Sequence, residues 1–165
     1  MKQFLFFLIM VSALADGRAQ ILPGDTETEF PGGMTAFYEF VSDNIQYPKQ
    51  AQKNSISGIV FIEFYISESG FVNKDSVRIV PASEIREVAG DELADQVTSN
   101  KFLEREALRV IKKSPRWIPG KESGRPIAQK IVFPVSFDKD LFKKKPVKNK
   151  PRMAVLNSSF FLHHA

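Results

Sequence analysis

The sequence predicts an α+β fold, two helices packed on one face of a three-stranded antiparallel sheet. Three observations carry that expectation. The stretch "SGIVFIEFYISESGFVNKDSVRIV" is dense in β-branched and aromatic residues on both sides of a turn glycine, Gly70. Two segments, near 34–44 and 101–113, place apolar residues at helical spacing. The run "IAQKIVFPVSF" alternates as a strand does, with a proline inside it. With 165 residues, 43% hydrophobic and fifteen Phe, the chain can build one core but is short for two domains. The domain is expected to span 34–138.

The elements follow in order. Residues 1–19 read as a secretory signal peptide: Lys2 gives a cationic start, an apolar run extends from Phe4 to Ala15, and Asp16, Gly17 and Arg18 end it. A membrane-spanning helix needs roughly twenty apolar residues, so no stable membrane anchor is expected. Cleavage falls after Ala19, with Ala15 as the second choice, and the mature protein is expected in the periplasm. Residues 20–33, broken by Pro23, Gly24, Pro31, Gly32 and Gly33, read as a linker.

From Met34 to Asn44, the residues Ala36, Phe37, Phe40, Val41 and Asn44 form one helical stripe, with Glu39, Ser42 and Asp43 opposite. Tyr47 precedes Pro48 and is pushed out of the α region, which breaks the chain there. Pro48 then opens a short turn that Asn54 ends. A hairpin follows, with strands over Ile59–Ile66 and Phe71–Val80. In its first strand Val60, Ile62, Phe64 and Ile66 share the core face. Ile59, Phe61, Glu63 and Tyr65 share the other face, which is apolar enough to need cover from the tail or a partner. Residues 81–100 are polar and acidic and read as an inserted loop with a weak turn of helix. The second helix, Lys101–Lys113, buries Leu103, Ala107, Val110 and Ile111, and its early Glu104 and Glu106 and late Lys112 and Lys113 suit the helix dipole. The last strand, Ile127–Phe137, contains Pro134, which cannot donate to a ladder, so this strand belongs at an edge or carries a bulge.

Residues 21–138 hold fourteen Lys/Arg against seventeen Asp/Glu, whereas 139–165 hold seven against one. The high pI therefore belongs to a basic, disordered tail at 139–165, and the mildly acidic domain is not expected to bind nucleic acid. No cysteine exists, and the two histidines, His163 and His164, sit at the chain end. Thiol chemistry, Ser-His relays and His-bearing metal sites have no raw material in the domain. Glu104 and Glu106, two apart on a helix, do not face each other, and "PGKESGRP" lacks the frame of a phosphate loop. No catalytic residue, metal or cofactor is expected. What remains is a binding module.

The edge strand supplies its handle, because unpaired N–H and C=O groups along Ile127–Phe137 can receive an extended segment of another protein. Gln129, Ile131, Phe133 and Val135 are the candidate contacts. The competing reading is an edge merely protected by Lys130 and Pro134. A further alternative is a homodimeric structural module of the envelope that pairs through Ile59, Phe61 and Tyr65.

The blocks "QYPKQAQKNSISGIVFIEFYISESGFVNKDSVRIV", "EREALRVIKKSPRWIPGK" and "IVFPVSF" resemble, in order, the C-terminal domain of TonB, and "FPGG" ahead of the first helix is similar to the variant common in Bacteroidota. The match covers about residues 30–137. The resemblance implies a periplasmic module that grips the extended TonB box of an outer-membrane TonB-dependent receptor by adding it beside the final strand. It also implies that polar residues ahead of the YP motif lie against that box, which here are Asn44 and Gln46 with Tyr47 alongside. Family transducers carry a membrane anchor and a long Pro-rich spacer. Here only eleven residue steps separate Gln20 from Pro31, at most roughly 40 Å extended, too short to cross the periplasm; an accessory role in transport is one expectation, and whether the chain itself transduces energy stays open. The insert at 81–100, the basic tail and Pro134 also depart from the family pattern.

Overall fold

A computed structural model describes residues 25–138; the expected signal peptide at 1–19 and basic tail at 139–165 lie outside the described residues. The core of the fold is the strand β1, Gly58–Ile66, which pairs along its full length with the last strand and over three residues with β2, Arg78–Val80. The remaining strands are the short β3, Lys121–Glu122, and β4, Arg125–Pro126, which form a separate two-stranded ribbon, and β5, Gln129–Phe137. Sheet order is β2-β1-β5, all antiparallel, so β5 lies at an edge as Pro134 requires.

The helices are α1, Gly33–Asn44; α2, Lys49–Lys53; α3, Ala82–Ala89; α4, Asp91–Ala94; and α5, Lys101–Ile111. The main core joins Phe37 and Val41 of α1 and Leu103, Ala107, Val110 and Ile111 of α5 to Val60, Ile62, Phe64 and Ile66 of β1 and to Phe133, Val135 and Phe137 of β5. That is the face the period-2 and period-3.6 patterns select. Asn100 caps α5, its Oδ1 accepting from the backbone N–H groups of Phe102 and Leu103. The stripe of α1 is rotated from the expected one: Tyr38 and Ser42 are buried and Asn44 is exposed. Burial raises the pKa of the Tyr38 phenol.

Three expectations are corrected. The second hairpin strand covers only Arg78–Val80, with a single bridge at Ile66 to Val72. Between them Asn73 closes a local turn, its Oδ1 accepting from Asp75 N and its carbonyl from Ser76 Oγ, and this side-chain turn competes with the ladder. The segment 81–100 is not an open loop, because α3 and α4 lie within it. Those helices cover the second face of the sheet: Ile59, Phe61 and Val80 pack with Ile85 and Ala94, and Val97 and Val132 close the rim. Ile59 is 8% exposed and Phe61 is fully buried, so neither the tail nor a second copy of the chain is needed to cover them, and the homodimer through that face loses its surface. The sheet is sandwiched between helices rather than covered on one face.

The stretch expected to be a linker, 20–33, is described from Asp25 onward, and there it is held in place. Thr26 pairs with Lys121 and Glu29 with Ile118 by backbone hydrogen bonds, and Phe30 packs edge-on against Trp117 at 5.2 Å between ring centroids. Trp117 in turn donates its backbone N–H to the Gly70 carbonyl at 2.7 Å. Gly70 has φ of +86°, and a Cβ there would lie 2.2 Å from the Trp117 carbonyl oxygen, so the hairpin turn needs glycine for two separate reasons.

Candidate protein interface

The direction of each backbone group on β5 follows from β1. Ile59 donates to Gln96 O and accepts from Thr98 N, and Tyr65 O accepts from Asn73 N, so the odd-numbered residues of β1 point their backbone groups away from β5. In an antiparallel ladder these directions alternate. Gly58, Val60, Ile62, Phe64 and Ile66 therefore bond Phe137, Val135, Phe133, Ile131 and Gln129, their register partners on β5. The intervening residues, Lys130, Val132, Pro134 and Ser136, point outward. Their three N–H and four C=O groups have no partner among the described residues. The donor missing from Pro134 falls on the side away from β1, so no bond of the β1–β5 ladder is lost.

Each sequence-selected residue can now be placed. Phe133 and Val135 are buried in the main core, and Ile131 packs against it, with backbone groups turned to β1. Gln129 is turned to the amino-terminal segment, its Oε1 accepting from Thr28 N at 2.6 Å. A Cβ on Gly120 would lie 2.4 Å from the same oxygen. The four named residues thus fix β5 in place, and the outward groups belong to their neighbours. The sequence reading named Lys130 and Pro134 only as protectors of the edge and did not single out Val132 or Ser136.

Asn44, Gln46 and Tyr47 form a clamped joint. Arg109 of α5 makes two hydrogen bonds to Glu106, at 2.6 and 2.7 Å, and donates to the Asn44 carbonyl at 2.7 Å. Glu106 also accepts from Gln46 N at 2.7 Å. Its hydrogen bonds raise the Arg109 pKa further. Tyr47 is buried, its hydroxyl donating to the Ile56 carbonyl and its ring 6.2 Å from Phe137. That ring contact joins the loop to the carboxyl end of β5. Asn44 instead lines a groove with Phe71, Val72 and Lys74, and Val72 bridges Ile66 on the flank of β1 away from β5. Asn44 and the open edge are not brought together.

On the second face one charge cluster ties the covering helices to the sheet. Arg78 on β2 binds Glu63 of β1 at 2.8 and 2.9 Å and Glu84 of α3 at 2.9 and 3.1 Å. The hydrogen bonds from Arg78 hold the Glu84 carboxyl below the usual range, and the same pairing raises Arg78. Lys130 of the open edge stands 4.0 Å from Glu63. Among the described residues no group of three or more His, Asp or Glu is placed to hold a metal ion, and no helix is long and apolar enough to cross a membrane.

No family model matches the chain, and no curated protein does. Among solved structures it is similar to the NMR solution structure of Helicobacter pylori TonB-CTD (residues 194–285), with 21% identity over 64% of this chain and 92% of that one and a TM-score of 0.45.

Proposed function

We propose that this chain is a non-enzymatic, periplasmic protein-binding module of the TonB C-terminal type, exported by its 1–19 signal peptide, that receives an extended segment of an outer-membrane transporter as an added strand. The observation that carries the reading is the outer side of β5, where the groups of Lys130, Val132, Pro134 and Ser136 stand unpaired among the described residues on a strand held rigidly by its nine-residue register with β1. Main-chain bonds of this kind supply affinity, and side chains at alternate positions supply selection. The ordered motif blocks from "QYPKQA" to "IVFPVSF" support the same reading. The role is accessory to TonB-dependent transport.

The direction of the backbone groups refines the contact set. A partner strand bonds to Lys130, Val132 and Ser136 and meets only an acceptor at Pro134, so its ladder is interrupted once near the middle. Gln129, Ile131, Phe133 and Val135 act by holding β5 straight, Tyr47 by packing against its end, and Asn44 and Gln46 by fixing the joint to α5.

The test is a titration of the mature protein with peptides from the amino-terminal segments of outer-membrane receptors encoded beside it, followed by backbone amide shifts. Shifts centred on Lys130, Val132 and Ser136 are expected, and Gln46→Ala should leave them in place. No shift along 129–137 with any receptor peptide overturns the proposal. Shifts that grow with protein concentration in the absence of peptide would instead identify edge-to-edge pairing of two copies.

A further inference from the structure

We propose that the groove between the end of α1, the 71–74 loop and the end of α5 is a second binding site, independent of the β5 edge, for an acidic peptide segment carrying an apolar side chain. The groove has a volume of about 510 Å³ and is lined by Asn44, Phe71, Val72, Lys74, Lys112, Lys113 and Ser114. Three of those seven residues are lysines and none is a carboxylate.

The charge pattern is the first argument. Arg78, Arg86, Arg109 and Lys130 each have a carboxylate within 4.0 Å, whereas Lys49, Lys53, Lys121 and Arg125 have none among the described residues but stand outside the groove; what distinguishes the groove is that three lysines share one lining without an acid. Lys74, Lys112 and Lys113 have no carboxylate partner among the described residues, although the region 21–138 carries more acid than base. Two of them follow α5, where the helix dipole favours cations. Lys74 comes from a different segment, so the dipole does not account for its approach to the other two. A local excess of positive charge on a mildly acidic domain attracts a short acidic segment. It does not suit a long polyanion, which the rest of the surface would repel.

The second argument is apolar. Phe71 is 55% exposed at the rim, and its ring is held by the Arg116 guanidinium, 5.8 Å from the ring centroid. Arg116 is itself fixed by donating to the Ser69 carbonyl at 2.9 Å. An exposed aromatic next to unpaired cations is the composition of an interaction hot spot. The walls are rigid: Val72 bridges Ile66, Ser114 accepts from the Trp117 indole at 2.8 Å, and Asn44 donates to Phe40 O at 2.8 Å. A concave site of this kind fits a peptide chain better than the flat headgroup layer of a membrane, which would meet the rim and not the floor.

The test uses the full chain and a blocked pentapeptide of alternating aspartate and glutamate with a central phenylalanine. Amide shifts at Phe71–Lys74 and Lys112–Ser114 are expected. The double variant Lys112→Gln, Lys113→Gln should weaken the interaction about tenfold, and raising salt from low to physiological strength should weaken it in the unsubstituted protein more than in the double variant. All three lysines are exposed, so these variants retain the fold. Phe71→Ala should weaken binding while leaving its salt dependence. The proposal is overturned by shifts confined to 139–165, by equal affinity for the amide analogue of the peptide, or by binding that the double variant does not change. Capture of the chain by phosphatidylglycerol vesicles through the same lysines, with no peptide binding, overturns it in favour of a lipid surface.

Discussion

A pair of proline substitutions tests the direction of every backbone group on β5. The register pairs Ile131 with Phe64 and turns its N–H toward β1, whereas the Val132 N–H points into the open side. Ile131→Pro removes a ladder bond and strands the Phe64 carbonyl between two strands, which costs about 1–3 kcal/mol for an unsatisfied buried group. The pyrrolidine ring must also fit where the N–H lay, at a strand spacing of about 4.8 Å, and part of the Ile side chain leaves the core, roughly 1 kcal/mol more. These two terms sum to about 2–4 kcal/mol, and the ring clash adds to them. Val132→Pro breaks no ladder bond, and β5 already accommodates a proline on the same side at Pro134. Its loss of packing against the second core, about 1 kcal/mol, is offset in part by the stiffer unfolded chain, about 0.4–1 kcal/mol. Urea denaturation of both variants should therefore give a difference of at least 2 kcal/mol, with unchanged m-values. Val132→Pro should also lose affinity for receptor peptides, since it deletes a second outward donor beside Pro134. Equal losses of stability, or a larger loss for Val132→Pro, refute the alternation and with it the assignment of the docking groups.

Three further outcomes follow from named contacts. Phe64 is fully buried between Phe37 and Trp117, so Phe64→Ala should cost about 3–5 kcal/mol in chemical denaturation through the cavity it leaves. Gly70→Ala forces a Cβ against the Trp117 carbonyl at a positive φ and should destabilise by more than about 1 kcal/mol, visible as a lower thermal midpoint. The Glu84 carboxyl is depressed by Arg78, so the folded chain binds fewer protons there than the unfolded one. That contribution is complete above the ordinary glutamate range near 4.5 and is lost as pH falls through the depressed folded value. Acid titration of Glu84→Gln should accordingly show a shallower fall in stability below about pH 4.5 than the unsubstituted chain.

How far these features could be read beforehand depends on the range of the force that made them. The helices α1 and α5 and the core face of β1 are set by spacing within one segment, and Leu103, Ala107, Val110 and Ile111 are the buried residues that spacing selects. The cover over Ile59 and Phe61 is a different case. Ile85, Ala94 and Val97 are scattered through an acidic segment whose single apolar residues give no strong period. Their burial is decided by a sheet face made elsewhere in the chain, and by the reach of Arg78 from β2 to Glu84. Sequence pattern alone leaves that greasy face to the tail or a partner because the segment that covers it looks like a loop. The groove at Phe71 was equally hidden, since Lys74 and Lys112 come to line one groove only after the hairpin and α5 have packed.

The unpaired side of β5 was present in the sequence and could have been read from it. A strand at an edge has one side turned to a neighbour and one to solvent, and proline is tolerated only where its missing donor faces solvent. Pro134 therefore marks the set whose backbone groups turn away from β1, although the residue itself is buried, and counting by twos from it gives Lys130, Val132 and Ser136. Counting from the apolar residues gives the opposite set, Gln129, Ile131, Phe133 and Val135, because those side chains are chosen for the core. Side-chain alternation and backbone alternation share a period of two but answer different questions: the first says which face of the sheet a residue serves, the second says which neighbouring strand it bonds. At β5 the residues that look most like contacts are the ones already committed to β1. The backbone groups left without a partner among the described residues belong to an exposed lysine, a half-buried valine, a buried proline and a half-buried serine. Exchanging Lys130 for glutamate should shift peptide preference without changing the fold, since Lys130 is exposed and its contact to Glu63 is 4.0 Å long.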